Sequence, residues 1–273
     1  MPPLRISAIS FLNTAPLMWD FENGETAARL RESFEIGYTI PSRCAEQLKE
    51  GSADIGIIPV AAYTVIPDLV IVPDVAIAAK NKVRSILLVS KVAIDKIRSV
   101  ATDDSSRTSA ALVEIYLRKF VGTDPGFIRQ KPDLKTMLQW HDAALLIGDP
   151  ALQARTDGYF VYDLAEEWKR WTGRPFVFAF WAVRKSALEG HDTAKLVADF
   201  QLSRDHGLRP ENLEKIAKEW SVRLGLPEAD ITSYLRDNIY YSLDADCLDG
   251  LRLFYQYAAE CRALPAAPAV SFI

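Results

Sequence analysis

Two uninterrupted apolar runs, "RSILLVSK" at 84–91 and "PFVFAFWAVRK" at 175–185, constrain this chain more than any other feature. Short apolar runs rich in branched and aromatic residues read as fully buried strands. A stretch of 83 residues lies between them. No glycine- or serine-rich linker divides the chain, so two lobes would have to be joined by strands, and these two runs are the candidates. The spacing predicts a discontinuous first lobe, 1–88 plus 179–273, and a second lobe, 89–178.

The rest of the first two thirds alternates strand and helix patterns, which predicts an α/β fold with parallel or mixed sheets. "LRISAISF" and "ADIGIIPV" read as strands. "SRCAEQLKEG" reads as a short helix with Ser42 at its start and Gly51 at its stop. "VATDDSSRTSAALVEIYLRKFVG" reads as strand, polar turn and helix, with Leu112, Val113, Tyr116, Leu117 and Phe120 at helical spacing and Gly122 as the stop. "GFIRQ", "DLKTMLQW" and "AALLIGD" continue as strand, helix and strand. Beyond about residue 190 every pattern is helical, with Asp192, Pro210, Pro227 and Asp244 near the starts. A middle lobe between two crossings is the layout of a hinge-bending binding protein, whose ligand lies in the cleft.

Composition removes several function classes. A net charge of −4 and pI near 5.5 argue against nucleic acid as a partner. No run of 18 apolar residues exists and "MPPLRISAIS" has no signal-peptide core, so no membrane partner is expected and a cytoplasmic location is. Cys44, Cys247 and Cys261 are isolated, and His141, His191 and His206 form no cluster, so neither metal nor cofactor is expected. His141 and Asp142 precede a strand and are expected at the surface. No GxSxG, P-loop, GxGxxG or HExxH motif occurs.

Four stretches remain that can carry chemistry. In "TDDSSRTSAAL", Ser105, Ser106, Thr108 and Ser109 surround Arg107 where a helix begins. Such an end binds carboxylates or phosphates through free N–H groups, and capping alone needs only one of these residues. In "VRSIL", Arg84 and Ser85 precede the first apolar run, and a surface arginine there is an equally good reading. In "LLIGDPAL", Gly148 and Asp149 end a strand, with Asp149 facing the cleft or capping the next helix. In "ISFLNTAPL", Asn13 and Thr14 end the first strand, as a turn or as ligand contacts, and Pro16 stops the strand.

"RISAISFLNTAPL", "VPDVAIAAKNKVRSILLVSK", "DDSSRTSAAL", "AALLIGDPAL" and "VYDLAEEWKRWTGRPFVFAFWAVRK" together resemble the chorismate dehydratase family, in order from about residue 4 to 190. The resemblance implies a two-lobed type II periplasmic-binding-protein-like fold with a helical tail. It implies a carbon–oxygen lyase that converts chorismate to 3-[(1-carboxyvinyl)oxy]benzoate and water, opening the futalosine route to menaquinone. Ala15 and "PSRC" around Ser42 depart modestly from the family pattern. Arg84 and the Ser105–Ser109 helix start would then be the candidate sites for the two carboxylates, with Thr14, Ser42 and Gly148 as further substrate-binding residues. Asn13 and Ser85 would orient the substrate and help its hydroxyl depart, and the base would be the substrate's own enolpyruvyl carboxylate or Asp149. Two other readings of the fold are a non-catalytic cytosolic sensor of small carboxylates and the sister dihydroxynaphthoate-forming enzyme. The latter usually opens on a Cys-Pro-Asn-Asp-like turn that "SFLNTAP" does not match.

Overall fold

The computed structural model describes residues 2–273 and contains two five-stranded sheets built on one plan. The first sheet runs β2 (Phe34–Thr39), β1 (Leu4–Ile9), β3 (Ile55–Pro59), β10 (Phe176–Arg184), β4 (Leu69–Ala79). The second runs β7 (Gly126–Gln130), β6 (Ser99–Asp103), β8 (Ala143–Ile147), β5 (Ile86–Ser90), β9 (Phe160–Asp163). In each, the first three strands are parallel and the last two join antiparallel.

The apolar runs do not themselves cross between lobes. Ile86–Ser90 pairs only with β8 and β9, and Phe176–Arg184 only with β3 and β4. The chain changes sheets in the segment 80–85 and returns through the helix Leu164–Thr172 and the turn after it. An apolar run specifies burial but not which neighbours bury it, so the expected boundaries at 88/89 and 178/179 fall a few residues after the changes of sheet.

One carboxylate ties the two crossings together. Asp163, 4% exposed, accepts from the Val83 and Arg84 amides of the outgoing segment, the latter at 2.6 Å. It also caps the return helix through the Ala165 and Glu166 amides. Burial raises its pKa although four N–H groups pull the other way. Arg84 adopts the left-handed region at φ 65° to make this contact, which sets the direction of Ser85 behind it.

The tail helices begin where the sequence marks them. Asp192 caps Thr193–Gly207, Pro210 opens Pro210–Leu224, Pro227 precedes Glu228–Ser233, and Asp244 caps Ala245–Glu260. The last of these also packs against the Arg107–Ile115 helix of the second lobe, and Lys119 reaches Glu260 at 2.7 Å. The 41–50 helix starts differently from expectation: Pro41 takes its first position and Ser42 its second, because proline needs no N–H partner there. His141, expected at the surface, is buried with its ring against Gln130. Of the aromatic set Trp168, Trp171, Phe176, Phe178, Phe180 and Trp181, whose apolar settings suggest core, all are buried except Trp171, which is half exposed and stacks on Phe120.

The Thr193–Gly207 helix presses on the 3-10 helix Leu12–Met18, which carries Asn13. A Cβ at Gly207 would lie 2.0 Å from the Pro16 carbonyl oxygen, a backbone atom that cannot swing aside. Gly207→Ala is expected to lower unfolding free energy by about 1–3 kcal/mol in urea titration. Asp163→Ala strands four buried amides and is expected to cost about 3 kcal/mol in the same measurement.

Candidate active site

The carboxyl ends of parallel strands in both sheets meet at a slot between the lobes, the usual place for a ligand in open α/β sheets. Its first-lobe wall is Ile9 at the end of β1, Pro59 at the end of β3, Phe11 and Asn13 beyond β1, and Ile77 and Phe178 on the last two strands. Its second-lobe wall is Ile147 and Gly148 at the end of β8 and the helix start Ser106, Thr108 and Ser109. Ser85 and Val83 of the outgoing segment form the back. The slot encloses about 50 Å³, room for a few waters.

The helix start combines capping with free donors. Ser106 Oγ accepts from the Ser109 amide at 3.2 Å. Thr108 Oγ1 accepts the Ala61 amide of the first lobe at 3.1 Å, leaving its own proton to donate. The Arg107 and Thr108 amides at the first turn have no intrahelical partner, so the end remains an anion acceptor. Ser105 is turned aside by Asp103, whose Oδ1 takes both its amide (2.9 Å) and its hydroxyl (2.6 Å). Ser105, Arg107 and Ser42 therefore line a neighbouring cavity of about 470 Å³, which shares Pro59 with the slot.

Across from the helix start, Ser85 is fully buried and its Oγ accepts from the Tyr234 hydroxyl at 2.8 Å. The Asn13 side chain lies near the same tyrosine, and its Oδ1 is buried with no protein partner. Tyr234 is 1% exposed, and burial drives its pKa far above the ordinary value. Nothing in the sequence marks it: it stands among the apolar positions of "ITSYLRDN", 149 residues from the serine it contacts.

Three of the expected contacts are engaged elsewhere. The Arg84 guanidinium does not line the slot. The turn that Asp163 imposes on its backbone points it to Ser233 Oγ, 3.1 Å away. Thr14 is buried with its hydroxyl directed to the Ile9 and Phe11 carbonyls, 2.5 and 2.6 Å away, where it closes the turn after β1. It borders a separate cavity of about 410 Å³ walled by Trp19, Tyr38, Trp220 and Arg223. Asp149 neither caps its helix nor lines the slot. Its Oδ1 accepts the Leu12 amide of the opposite lobe at 3.1 Å, so it latches the lobes beside the slot. Gly148, at φ 58°, lies where a Cβ would meet the Phe11 ring at 2.9 Å, which keeps that wall tight.

Burial raises the Asp149 carboxyl from 3.8 to about 6, against the pull of the Leu12 amide and Arg223. A raised carboxyl binds its proton more tightly in the folded chain. The stability this adds is fully present below the ordinary value and is lost as pH rises through about 6. Asp149→Asn keeps an acceptor for Leu12 and never ionises. Thermal denaturation should put the variant level with the parent near about pH 4 and ahead of it near about pH 7. A difference that does not change with pH would contradict this account of the latch.

Among the described residues, no cluster of three or more His, Cys, Asp or Glu side chains is placed to hold a metal, and no helix is long and apolar enough to cross a membrane. The architecture is that of periplasmic binding proteins. The chain superposes on protein AF1704 from Archaeoglobus fulgidus with a TM-score of 0.72 at 14% identity, over 95% of this chain and 97% of that one. It superposes on the periplasmic aliphatic sulphonate binding protein of Escherichia coli with a TM-score of 0.66 at 20% identity, over 100% and 94%. In sequence it is 30% identical over 286 residues to the chorismate dehydratase of Thermus thermophilus, covering 98% of each chain. Residues 4–260 match the family described as menaquinone biosynthesis. A family match spanning residues 4–260, together with a chorismate dehydratase 30% identical along 98% of both chains, places this protein in the menaquinone biosynthesis family.

Proposed function

We propose that the protein is a hydro-lyase that converts chorismate to 3-[(1-carboxyvinyl)oxy]benzoate and water, the opening step of the futalosine route to menaquinone. The observation that carries this reading is the pairing across the slot. A helix start rich in donors faces a buried Asn13 oxygen that lacks a partner and the Ser85 hydroxyl. Chorismate carries two carboxylates and a secondary hydroxyl on a cyclohexadiene ring. The Ser106–Ser109 end suits a carboxylate, and the faces of Phe11, Phe178 and Ile77 suit the ring. Asn13 and Ser85 suit the hydroxyl.

In the reaction the ring carbon that bears the enolpyruvyl ether loses its proton. The electron pair of that C–H bond becomes the new ring double bond, and the neighbouring carbon–oxygen bond breaks. The hydroxide leaves as water once it gains a proton, so the ring becomes aromatic without redox change or cofactor. Aromatisation supplies the driving force and the diene acidifies the hydrogen, so the protein's contribution is positioning and electrostatics. The enolpyruvyl carboxylate of the substrate lies close enough to its own ring to take the proton. Two observations support it over Asp149: that side chain is held by the Leu12 amide, and it does not line the slot. The slot is smaller than chorismate, so in this reading the lobes part along the segment 80–85 and the 164–175 return to admit it.

Purified protein incubated with chorismate should abolish the diene absorbance and yield a product lighter by one water in mass spectrometry. Chorismate that is bound but recovered intact would instead favour a sensor. Asp149→Asn should retain turnover close to the parent's. A loss of about 10³-fold with intact folding would make Asp149 the base and remove the substrate carboxylate from that role.

A further inference from the structure

Tyr234 belongs to the helical tail, far along the chain from every slot residue, yet its hydroxyl lies between Asn13 and Ser85. A serine hydroxyl has one proton and two lone pairs, and an amide presents donors at nitrogen and an acceptor at oxygen. By donating to Ser85 Oγ at 2.8 Å, Tyr234 occupies a lone pair and turns the serine's own proton away from itself. Ser85 is fully buried and lines the slot, so the slot is where that proton can find an acceptor. On the other side, the Asn13 carboxamide lies near the tyrosine oxygen, and its Oδ1 is buried without a protein partner on a residue of the slot wall. Tyr234 thus stands between an unpaired acceptor on Asn13 and a free donor on Ser85, both on residues that line the slot.

We propose that Tyr234 is a positioning residue that fixes Ser85 as a hydrogen-bond donor and Asn13 as an acceptor toward the hydroxyl that leaves the substrate. This rests on the dehydratase reading of the slot. Asn13 Oδ1 receives the substrate O–H and holds the carbon–oxygen bond in place, while the Ser85 proton meets the oxygen as it takes on negative charge. Tyr234 itself touches neither and keeps its proton throughout, since burial among apolar neighbours disfavours the phenolate.

Tyr234→Phe removes one oxygen and retains the ring. The expected result is a fall in kcat of about 10- to 100-fold, the range for lost outer-sphere support, with KM changed less than about threefold and the melting temperature nearly unchanged. In a Ser85→Ala background the same substitution should cost clearly less than in the parent, since the serine hydroxyl it orients is gone and only Asn13 remains for it to hold. A parent-like kcat in Tyr234→Phe, or an equal fall in both backgrounds, would overturn the proposal. A second measurement needs no turnover. In protein labelled with nitrogen-15 at asparagine, the Asn13 carboxamide resonances should shift in Tyr234→Phe, and unmoved resonances would overturn the proposal. If the parent leaves chorismate intact, the dehydratase reading fails, while the resonance shifts still decide whether Tyr234 organises Asn13.

Discussion

The whole arrangement of the slot depends on Asp163, a buried carboxylate that gathers four amides from two places in the chain. Two of those amides belong to the segment leaving the first lobe and two to the helix bringing the chain back. Such a carboxylate is costly to bury alone and favourable when surrounded by donors, so the two crossings are held as one unit. Ser85 follows directly on the tied residues, and the slot forms in front of it. Ser85 therefore stands beside a joint whose centre is fixed, with the helix start on one lobe and Asn13 on the other.

Around that joint, polar side chains divide by whether the protein has already used up their hydrogen-bonding capacity. Thr14 closes the turn after β1, Ser105 is held by Asp103, and Arg84 is turned to Ser233. Ser85, Thr108 and Asn13 each keep a donor or an acceptor in hand. From sequence these six are equivalent: polar residues beside strand ends and helix starts. The cluster of hydroxyls around Arg107 was legible because it exceeds what one helix cap requires. Which of its members face the slot was not, because that is decided by Asp103 and by Ala61 of the other lobe. Tyr234 was illegible for a related reason, since a tyrosine on the buried face of an amphipathic helix gives no hint of what its hydroxyl meets.

The fold was legible to a similar depth. Alternating strand and helix patterns, the caps at Asp192 and Asp244, and the proline starts at 210 and 227 are local signals, and local contacts realise them. The register of the two apolar runs is not local. Whether Phe176–Arg184 crosses between lobes or completes a sheet depends on β3 and β4, more than 90 residues upstream. His141 illustrates the same limit on a smaller scale. It is followed by the acidic Asp142, yet the strand pairing of Ser99–Asp103 with β7 and β8 brings Gln130 over it and covers the ring.

That late strand carries a consequence for how the chain is made. β10 lies between β3 and β4, so the first sheet has a gap at its centre until residues 176–184 have been synthesised. The second sheet needs nothing beyond Asp163. On the ribosome the inner lobe can complete its pairing first, while the strands translated before it wait with their edges unsatisfied. β3 and β4 are then the segments most exposed to mispairing, and both are wholly or largely apolar. The aromatic density of β10 fits the task of closing such a gap quickly and for good.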